Sequence, residues 1–380
     1  MNILVLTAYP PVLHMHGGGV RMFHNIRILA ERHRVRVISF VENDEEREML
    51  RSLDRMCESV IAVKRVPDFQ PHWLSVLPFL VREFSTPEMY RAVDSEFQRD
   101  KVDVLQCEYL QMAQFHRWGV FSILTLLDGP SANAYEEFHE AADVVQKVRS
   151  YYRWMATLRY ETLMARRFDR VVTMTENDAD HLRSYSPNAN IRAIPIGIDP
   201  EEFKPWPERV DQPIRVLFAG NFRHTPNIEG AEFLVERIAP HFPDVQFVIS
   251  GLHLPDHIRN GPNVRLSGHV PDIRTLYCRP NTIVATPLFS GTGQRVKLLE
   301  AFAMGCPAIT SSLGAAGFPV SNGVEALIAD TADDFAAALR QLVSSEQMRR
   351  QLGENARQMI VKDFSWQRIG GQLLDLVKQS

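Results

Sequence analysis

The sequence predicts two doubly wound α/β domains with a cleft between them. Three observations carry that expectation. Short apolar, β-branched runs alternate with helical periods along nearly the whole chain. The runs are almost continuously apolar, as strands must be in a parallel sheet covered on both faces. With 380 residues, the chain is also longer than one ordinary core accommodates.

In the first half the expected strands are 3–8, 35–40, 102–106, 121–127 and 170–174. Helical periods fall at 19–32, at 87–98, and in one long helix from about 134 to 167. The stretch 194–213, "IPIGIDPEEFKPWPERVDQP", then breaks the rhythm with clustered prolines and reads as an interdomain linker. Strands resume at 214–220, 245–251, 263–268, 282–287 and 307–312. Helices are expected at 227–238, 294–304, 332–344 and 346–361, and "SWQRIGGQLLDLVKQ" (365–379) closes the chain as an amphipathic helix.

Bulk composition narrows the function classes. Hydrophobic residues make up 45% and charged residues 23%, near globular averages. A formal net charge of −4 gives no electrostatic case for nucleic acid. Cys57, Cys107, Cys278 and Cys306 are scattered without a CxxC pair, which suggests reduced thiols in a cytosol. "MNILVLTAYPP" has no basic n-region and no small-residue cleavage site, so it reads as a first buried strand. No apolar stretch approaches the ~18 residues of a membrane span. The expectation is a soluble, cytoplasmic protein.

Four stretches carry chemistry. "GTGQRVKLLEAFAMGCPAIT" (291–310) runs from a glycine turn into a helix carrying Arg295, Lys297 and Glu300. Lys297 and Glu300 are three apart and share a helix face. The following turns are apolar, so only the start of this helix faces outward. A solvated, salt-bridging turn is the plain alternative, but charged mouth, buried helix and glycine loop together favour a site. The loop also follows a strand, where open α/β sheets bind ligands. The second stretch, "YPPVLHMHGGGVRMF" (9–23), places Gly17, Gly18 and Gly19 between the first strand and first helix, where a backbone can approach an anion. A dinucleotide fingerprint is weakened because Met22 holds the third glycine position, and an esterase oxyanion loop lacks any G-x-S-x-G partner. Third, "TENDADHL" (175–182) contains Asp178-x-Asp180, but Thr175 and Asp178 have the spacing of a capping box. The cap outweighs a metal site. Last, Lys147 to Arg170 mixes Arg149, Arg153, Arg159, Arg166 and Arg167 with Tyr151, Tyr152, Trp154 and Tyr160. Such a helix can lie on an anionic membrane surface, or turn its aromatics inward and leave the arginines in water. The packed alternative is the simpler. His14, His116, His224 and His253 have no metal-ligand spacing.

Taken in order, "GGGVR", "VVTMTENDADHL", "IPIGIDPEEFKP", "FAGNFRHTPNIEG", "VRLSGHVPDI", "KLLEAFAMGCPAI" and "FSW" resemble the motifs of retaining glycosyltransferases of the GT-B fold, group-1 (family 4) class. The resemblance covers nearly the whole chain. It implies two Rossmann-like domains: 1–195 on the acceptor side, 196–364 holding a nucleotide-diphospho-sugar, and a final helix 365–380 that returns to the first domain. Trp366, Leu373, Leu374 and Val377 have the helical spacing such a return needs. It implies donor contacts from Gly18, Gly19, Arg223, Gly268, Gly291, Thr292, Gly293, Arg295, Lys297 and Glu300, with Glu300 on the ribose hydroxyls. Acceptor-side contacts fall on Glu108, Tyr109 and Asp128, and catalytic roles on Asp128, Arg223 and Lys297.

Three departures from the family stand out. The first glutamate of the family's E-x7-E motif falls on Thr292. The cation after the first donor-domain strand is displaced to Arg223, so Arg295 and Lys297 are expected to supply diphosphate charge. The family's His-Asp pair is here Leu127-Asp128. The implied partners are a nucleotide-sugar donor and a glycan, lipid-linked or small-molecule acceptor, with peripheral contact at the inner membrane face a further option. No metal or other cofactor is expected to be obligatory. Cell-surface polysaccharide or glycolipid assembly suits the resemblance; a sugar-nucleotide epimerase and a nucleotide-sugar-binding protein are the alternatives.

Overall fold

The computed structural model describes residues 1–13, 17–65, 77–205, 213–277 and 281–378. His14, Met15 and His16 of the glycine-rich stretch, residues 206–212 of the expected linker, and Cys278 lie outside them. The chain forms two compact units, Met1–Ile196 with Ile369–Ser380, and Gly197–Arg368.

Unit 1 is built on a seven-stranded parallel sheet in the order β3-β2-β1-β4-β5-β6-β7. Its strands are β1 (Asn2–Thr7), β2 (Arg34–Val41), β3 (Ser59–Lys64), β4 (Val104–Glu108), β5 (Phe121–Thr125), β6 (Arg170–Thr173) and β7 (Ile191–Ala193). Ile3, Leu4, Val5 and Leu6 are essentially inaccessible, as a central strand covered on both faces requires. The order reverses between β1 and β4, which marks the carboxyl ends of these strands as the place for a ligand.

The second unit repeats the plan with six parallel strands in the order β10-β9-β8-β11-β12-β13. They are β8 (Arg215–Asn221), β9 (Gln246–Leu252), β10 (Val264–Gly268), β11 (Thr282–Thr286), β12 (Ala308–Thr310) and β13 (Leu327–Ile328). Here the switch point lies between β8 and β11.

Several expectations need correction. The single helix over 134–167 is two, Pro130–Glu140 and Val144–Arg167, because the Asp143 carboxylate accepts from the Gln146 amide at 2.8 Å and starts the second. The helix expected over 227–238 is Thr225–Glu232, followed by a wider π turn at Phe233–Ile238. Strands β3, β7 and β13 were not expected. Gly17, Gly18 and Gly19 are not a loop: they form the first turn of helix Gly17–Ala30. The linker is partly tied down, since Arg357 donates to the carbonyls of Phe203 (2.8 Å) and Pro200 (3.0 Å) and Ile198 bonds to Phe364 (2.8 Å).

The last helix, Trp366–Val377, begins with Trp366 against Gly197, where an added Cβ would lie 2.6 Å from the indole. From Ile369 onward it belongs to unit 1, with Ile369, Leu373, Leu376 and Val377 buried. A Cβ on Gly370 would come within 2.8 Å of Ile28 on helix Gly17–Ala30. Gly370→Val is therefore expected to cost about 1–2 kcal/mol by overpacking. Urea unfolding of the full chain, followed by hydrogen exchange of β1 and β2 amides, reads this directly. Unchanged protection would mean that the contact carries no stability.

Candidate functional site

In unit 2, Lys297 and Glu300 sit on helix Val296–Ala303, which follows β11 at the switch point. The chain leaves β11 through Ser290, Gly291, Thr292 and Gly293. Both glycines have positive φ, 91° and 78°, a region that favours glycine. A Cβ on Gly291 would also press to 3.1 Å from Pro226. Arg295 is the N-cap of helix Val296–Ala303, one position outside the first turn expected for it. Its guanidinium folds back onto the loop, donating to the carbonyls of Thr292 (2.7 Å), Gly291 (2.8 Å) and Ser290 (3.3 Å). In this structure three loop carbonyls take bonds from its two terminal nitrogens, so Arg295 braces the glycine turn.

Lys297 is different. Its Nζ donates to Asn227 Oδ1 and sits 4.4 Å from the centroid of the Phe218 ring. Asn227 Nδ2 in turn donates to the Asn221 carbonyl at 2.7 Å. These bonds join the helix after β11 to the turn after β8, across the switch point. Gly220 leaves the space: a Cβ there would lie 3.0 Å from Lys297 Nζ and 2.9 Å from Asn227. Burial lowers the Lys297 ammonium to about 7, with Arg295 adding to the shift and Glu300 opposing it.

Glu300 lies one turn further along the same helix. The Tyr277 hydroxyl is within reach of Glu300 Oε2 (3.3 Å) and the Lys297 carbonyl (3.1 Å). Burial raises the Glu300 carboxyl to about 7, against the opposing effects of Tyr277 and Lys297. Lys297 and Glu300 thus share one helix face beside the glycine turn, and each charge favours the ionised form of the other.

Arg223 is exposed in the turn after β8, its amide bonded to Asn221 Oδ1 at 3.1 Å. Gly268 ends β10 at φ 62°, and its carbonyl accepts from Ser250 Oγ at 2.8 Å. Thr292 contributes its carbonyl to the Arg295 brace.

In unit 1 the expected residues separate. Asp128 is an exposed residue just ahead of helix Pro130–Glu140. Protein crowds its carboxylate, and this desolvation, with Asp178 adding, raises the carboxyl to about 6. Tyr109 follows β4 at φ 76° and meets the Tyr9 ring edge-on, centroids 5.1 Å apart. Glu108 does not face outward. It is 1% exposed, Gln106 Nε2 donates to its Oε1, and the charge of buried Arg21 stabilises it. Its assignment to the acceptor side is corrected, because a carboxylate this deep cannot touch a second substrate. Arg21 itself donates to the Pro195 carbonyl at 2.7 Å, tying helix Gly17–Ala30 to the end of the unit. Gly18 and Gly19 lie in the first turn of that helix, with Gly19 buried.

Thr175 caps helix Glu176–Tyr185, accepting from the Asp178 amide at 3.1 Å and donating to the Asp178 carboxylate at 2.7 Å, while Asp180 pairs with Arg183 at 2.6 Å. The cap explains this spacing. Among the described residues no cluster of three metal-ligating side chains occurs.

Sequence reasoning missed Asn227, Phe218, Tyr277 and Glu161. Glu161 is 3% exposed, sits behind Asp128 in helix Val144–Arg167, and is hydrogen-bonded to Ser131. Its signal was an acid set between the apolar positions Tyr160 and Met164. Burial raises its carboxyl from 4.5 to about 7. The folded state thus keeps a proton that the unfolded chain loses in that window, so stability should fall as pH rises from 4.5 to 7. One proton gives a slope of up to about 1.4 kcal/mol per pH unit. Urea midpoints across the window should show the slope in the native chain and a shallower one in Glu161→Gln. Equal slopes would remove Glu161 as the source.

Comparison with known proteins finds relatives for both units. The family model described as Glycosyltransferase Family 4 matches residues 15–202, and that described as Glycosyl transferases group 1 matches residues 213–345. A glycogen synthase from Mycobacterium tuberculosis is 25% identical over 227 residues, 55% of this chain and 54% of that protein. The chain thus spans about half the length of the curated relatives it matches. Among solved structures, sucrose-phosphate synthase from Thermosynechococcus elongatus superposes with a TM-score of 0.77 at 18% identity, covering 100% of this chain and 99% of that one. HepE from Anabaena in complex with UDP superposes with a TM-score of 0.73 at 14% identity, covering 100% of both. With one family model over each half and this fold in both units, the chain belongs to the group 1, family 4 glycosyltransferases of GT-B architecture.

Proposed function

We propose that the protein transfers a sugar from a nucleotide-diphospho-sugar to an acceptor hydroxyl, with retention at the anomeric carbon, in the assembly of a cell-surface polysaccharide or glycolipid. One observation carries the reading: Lys297 and Glu300 on one helix face beside the Gly291–Gly293 turn, at the switch point of the unit 2 sheet. In the transfer the bond from the anomeric carbon to the β-phosphate oxygen breaks and the acceptor oxygen takes that place. The nucleoside diphosphate leaves with the bonding electrons, and the acceptor proton must find a base or the departing phosphate.

Lys297, held by Asn227, and the exposed Arg223 are assigned to the charge that grows on the leaving diphosphate. Glu300 is assigned to the ribose hydroxyls, and Gly268, Gly291, Thr292 and Gly293 to close backbone approach. In unit 1, Asp128 is assigned to the acceptor hydroxyl, with Tyr109 as a wall of that side and Gly18 and Gly19 offering helix amides. Three free cysteines among the described residues, Cys57, Cys107 and Cys306, suit a cytoplasmic setting. Among the described residues no helix is long and apolar enough to cross a membrane.

No divalent ion is required in this reading, because the two cations offset the diphosphate. The test is a panel of UDP- and GDP-sugars with and without simple glycoside acceptors, in chelator, followed by mass spectrometry and anomeric proton NMR. UDP is the first nucleotide to try, since HepE was solved with it. The expected result is an acceptor-dependent product with the donor's anomeric configuration. An inverted product would overturn retention, and free nucleotide with an altered sugar would mark an epimerase. Donor binding without turnover would mean that Thr292, at the place of the first motif glutamate, has cost catalysis. A strict magnesium requirement lost in Asp178→Ala would overturn the metal-free assignment.

A further inference from the structure

Among the described residues, part of the surface of helix Val144–Arg167 is uncovered. Residues 142–149, the loop end and two helical turns, are all exposed. Eight consecutive exposed positions mean that the helix is open on every side there, so it is a projecting tip rather than the wall of a groove. Yet the tip is not polar. Val144 is 78% exposed, Val145 65%, Val148 51% and Tyr152 69%, and Tyr151 and Met155 extend the same apolar surface. These six side chains fall within 12 residues, and contiguous apolar surface of this kind marks an interaction site.

The tip has its own foundation. It is the end of a two-helix hairpin, in which Tyr135 and Phe138 of helix Pro130–Glu140 stack on Trp154 with centroids 4.8 Å and 5.8 Å away. Inward packing is met by Trp154, Tyr160 and Met164, with Tyr151 also edge-on to Phe138 at 5.7 Å, so the three valines and Tyr152 are what remains outside it. Charge says what the tip faces. From Val144 to Tyr160 the helix carries Lys147, Arg149, Arg153 and Arg159 and no acid. The neighbouring helix contributes Glu136, Glu137 and Glu140, of which Glu137 pairs with Arg153 at 3.0 Å, and Asp143 is held by its cap. Lys147, Arg149 and Arg159 add three cations interleaved with valine and tyrosine, Lys147 lying 5.8 Å from the Phe138 ring centroid, on a chain whose net charge is −4.

We propose that this hairpin tip is a peripheral docking surface for an anionic lipid bilayer. Val144, Val145 and Val148 enter the headgroup boundary, Tyr151 and Tyr152 lie at its level, and the cations reach lipid phosphates along extended stems. A second copy of the chain fits poorly, because a twofold contact would set the same cations against themselves. A folded protein partner would have to supply the whole groove for a convex tip, whereas a bilayer deforms around it. The proposal does not depend on the transferase reading, and its test uses no substrate.

Full-length protein is sedimented with vesicles of phosphatidylcholine alone and with vesicles holding about 30% phosphatidylglycerol. Binding to the anionic vesicles should be at least about tenfold tighter, and should weaken as salt rises from roughly 0.1 M to roughly 0.5 M. Val145→Asp with Val148→Asp should lower it about tenfold or more, with an unchanged thermal midpoint because both positions are exposed. Lys147→Gln with Arg149→Gln should remove most of the difference between the two vesicle types. Equal binding to both vesicles, or to neither, overturns the proposal. So do valine variants that bind like the native chain, or a dimer in solution that the valine substitutions dissolve, which would make a second copy the occupant.

Discussion

Glu300→Ala is expected to weaken nucleoside diphosphate binding by roughly 30- to 1000-fold. The range follows from losing a charge-assisted pair of hydrogen bonds to the ribose hydroxyls, about 2–4 kcal/mol. The structure sharpens this expectation. Tyr277 holds one oxygen of the carboxylate, so its orientation is set before the ligand arrives. Burial raises the carboxyl to about 7, so the ionised acceptor is only part of the population at neutral pH. Uridine affinity should therefore rise as pH increases through 7 in the native protein and stay flat in Glu300→Ala. Thr292→Ala is the contrast. Its carbonyl, which braces Arg295, survives the substitution, so the loss should stay under about 1 kcal/mol. Calorimetry with UDP and uridine measures both variants. Full nucleotide affinity in Glu300→Ala would sink the site assignment. The Tyr277 hydroxyl keeps the Lys297 carbonyl as an acceptor, so a large drop in thermal midpoint is not expected.

How much of this was written in the sequence differs from residue to residue. The central strands were legible because a strand covered on both faces must be largely apolar, and β1, β2, β8 and β9 each hold an apolar run with few polar interruptions, such as Arg36 and Ser39 in β2. Strand β3 was not, because its burial is mostly partial; β7 and β13 have only three and two residues. The glycine turn with Lys297 and Glu300 was legible because residue type and spacing on one helix define a face. Direction was not. Arg295 and Glu108 have the right charge for their expected roles, but one folds onto its own loop and the other into the core. Sequence spacing says which side chains share an element, and nothing about where a long side chain finds its acceptors. Asn227, Phe218 and Tyr277 were invisible for a related reason. They lie 70, 79 and 20 residues from Lys297 and meet it only because β8 and β11 are neighbours in the sheet. The Asp143 cap could have been read, since an aspartate just before a helical period is a start signal.

Lys297→Ala should separate charge from the rest of the nucleotide. The contact assigned to Lys297 is with the diphosphate, so UDP binding should weaken by about 30- to 100-fold, or ~2–3 kcal/mol, while uridine changes less than about threefold. A second consequence follows from burial. In the free protein desolvation lowers the ammonium to about 7, and Asn227 Oδ1 and the Phe218 face are its near partners. A diphosphate beside it favours the charged form and raises its pKa. Binding above pH 7 must then take up a proton, and the UDP-to-uridine affinity ratio should fall as pH rises from 7 to 9. The sign is fixed by the direction of the shift: a group protonated in the complex and deprotonated when free costs more to bind as protons become scarce. Calorimetry in two buffers of different ionisation enthalpy counts the proton, and Lys297→Ala should reduce the count. Asn227→Ala offers a check that leaves the charge in place. Removing that acceptor leaves the ammonium without its closest polar partner, so its pKa should fall further and proton uptake should begin at lower pH. A UDP affinity ratio that does not change with pH, together with unchanged proton uptake in Lys297→Ala, would show that the diphosphate is met by other groups, Arg223 first among them.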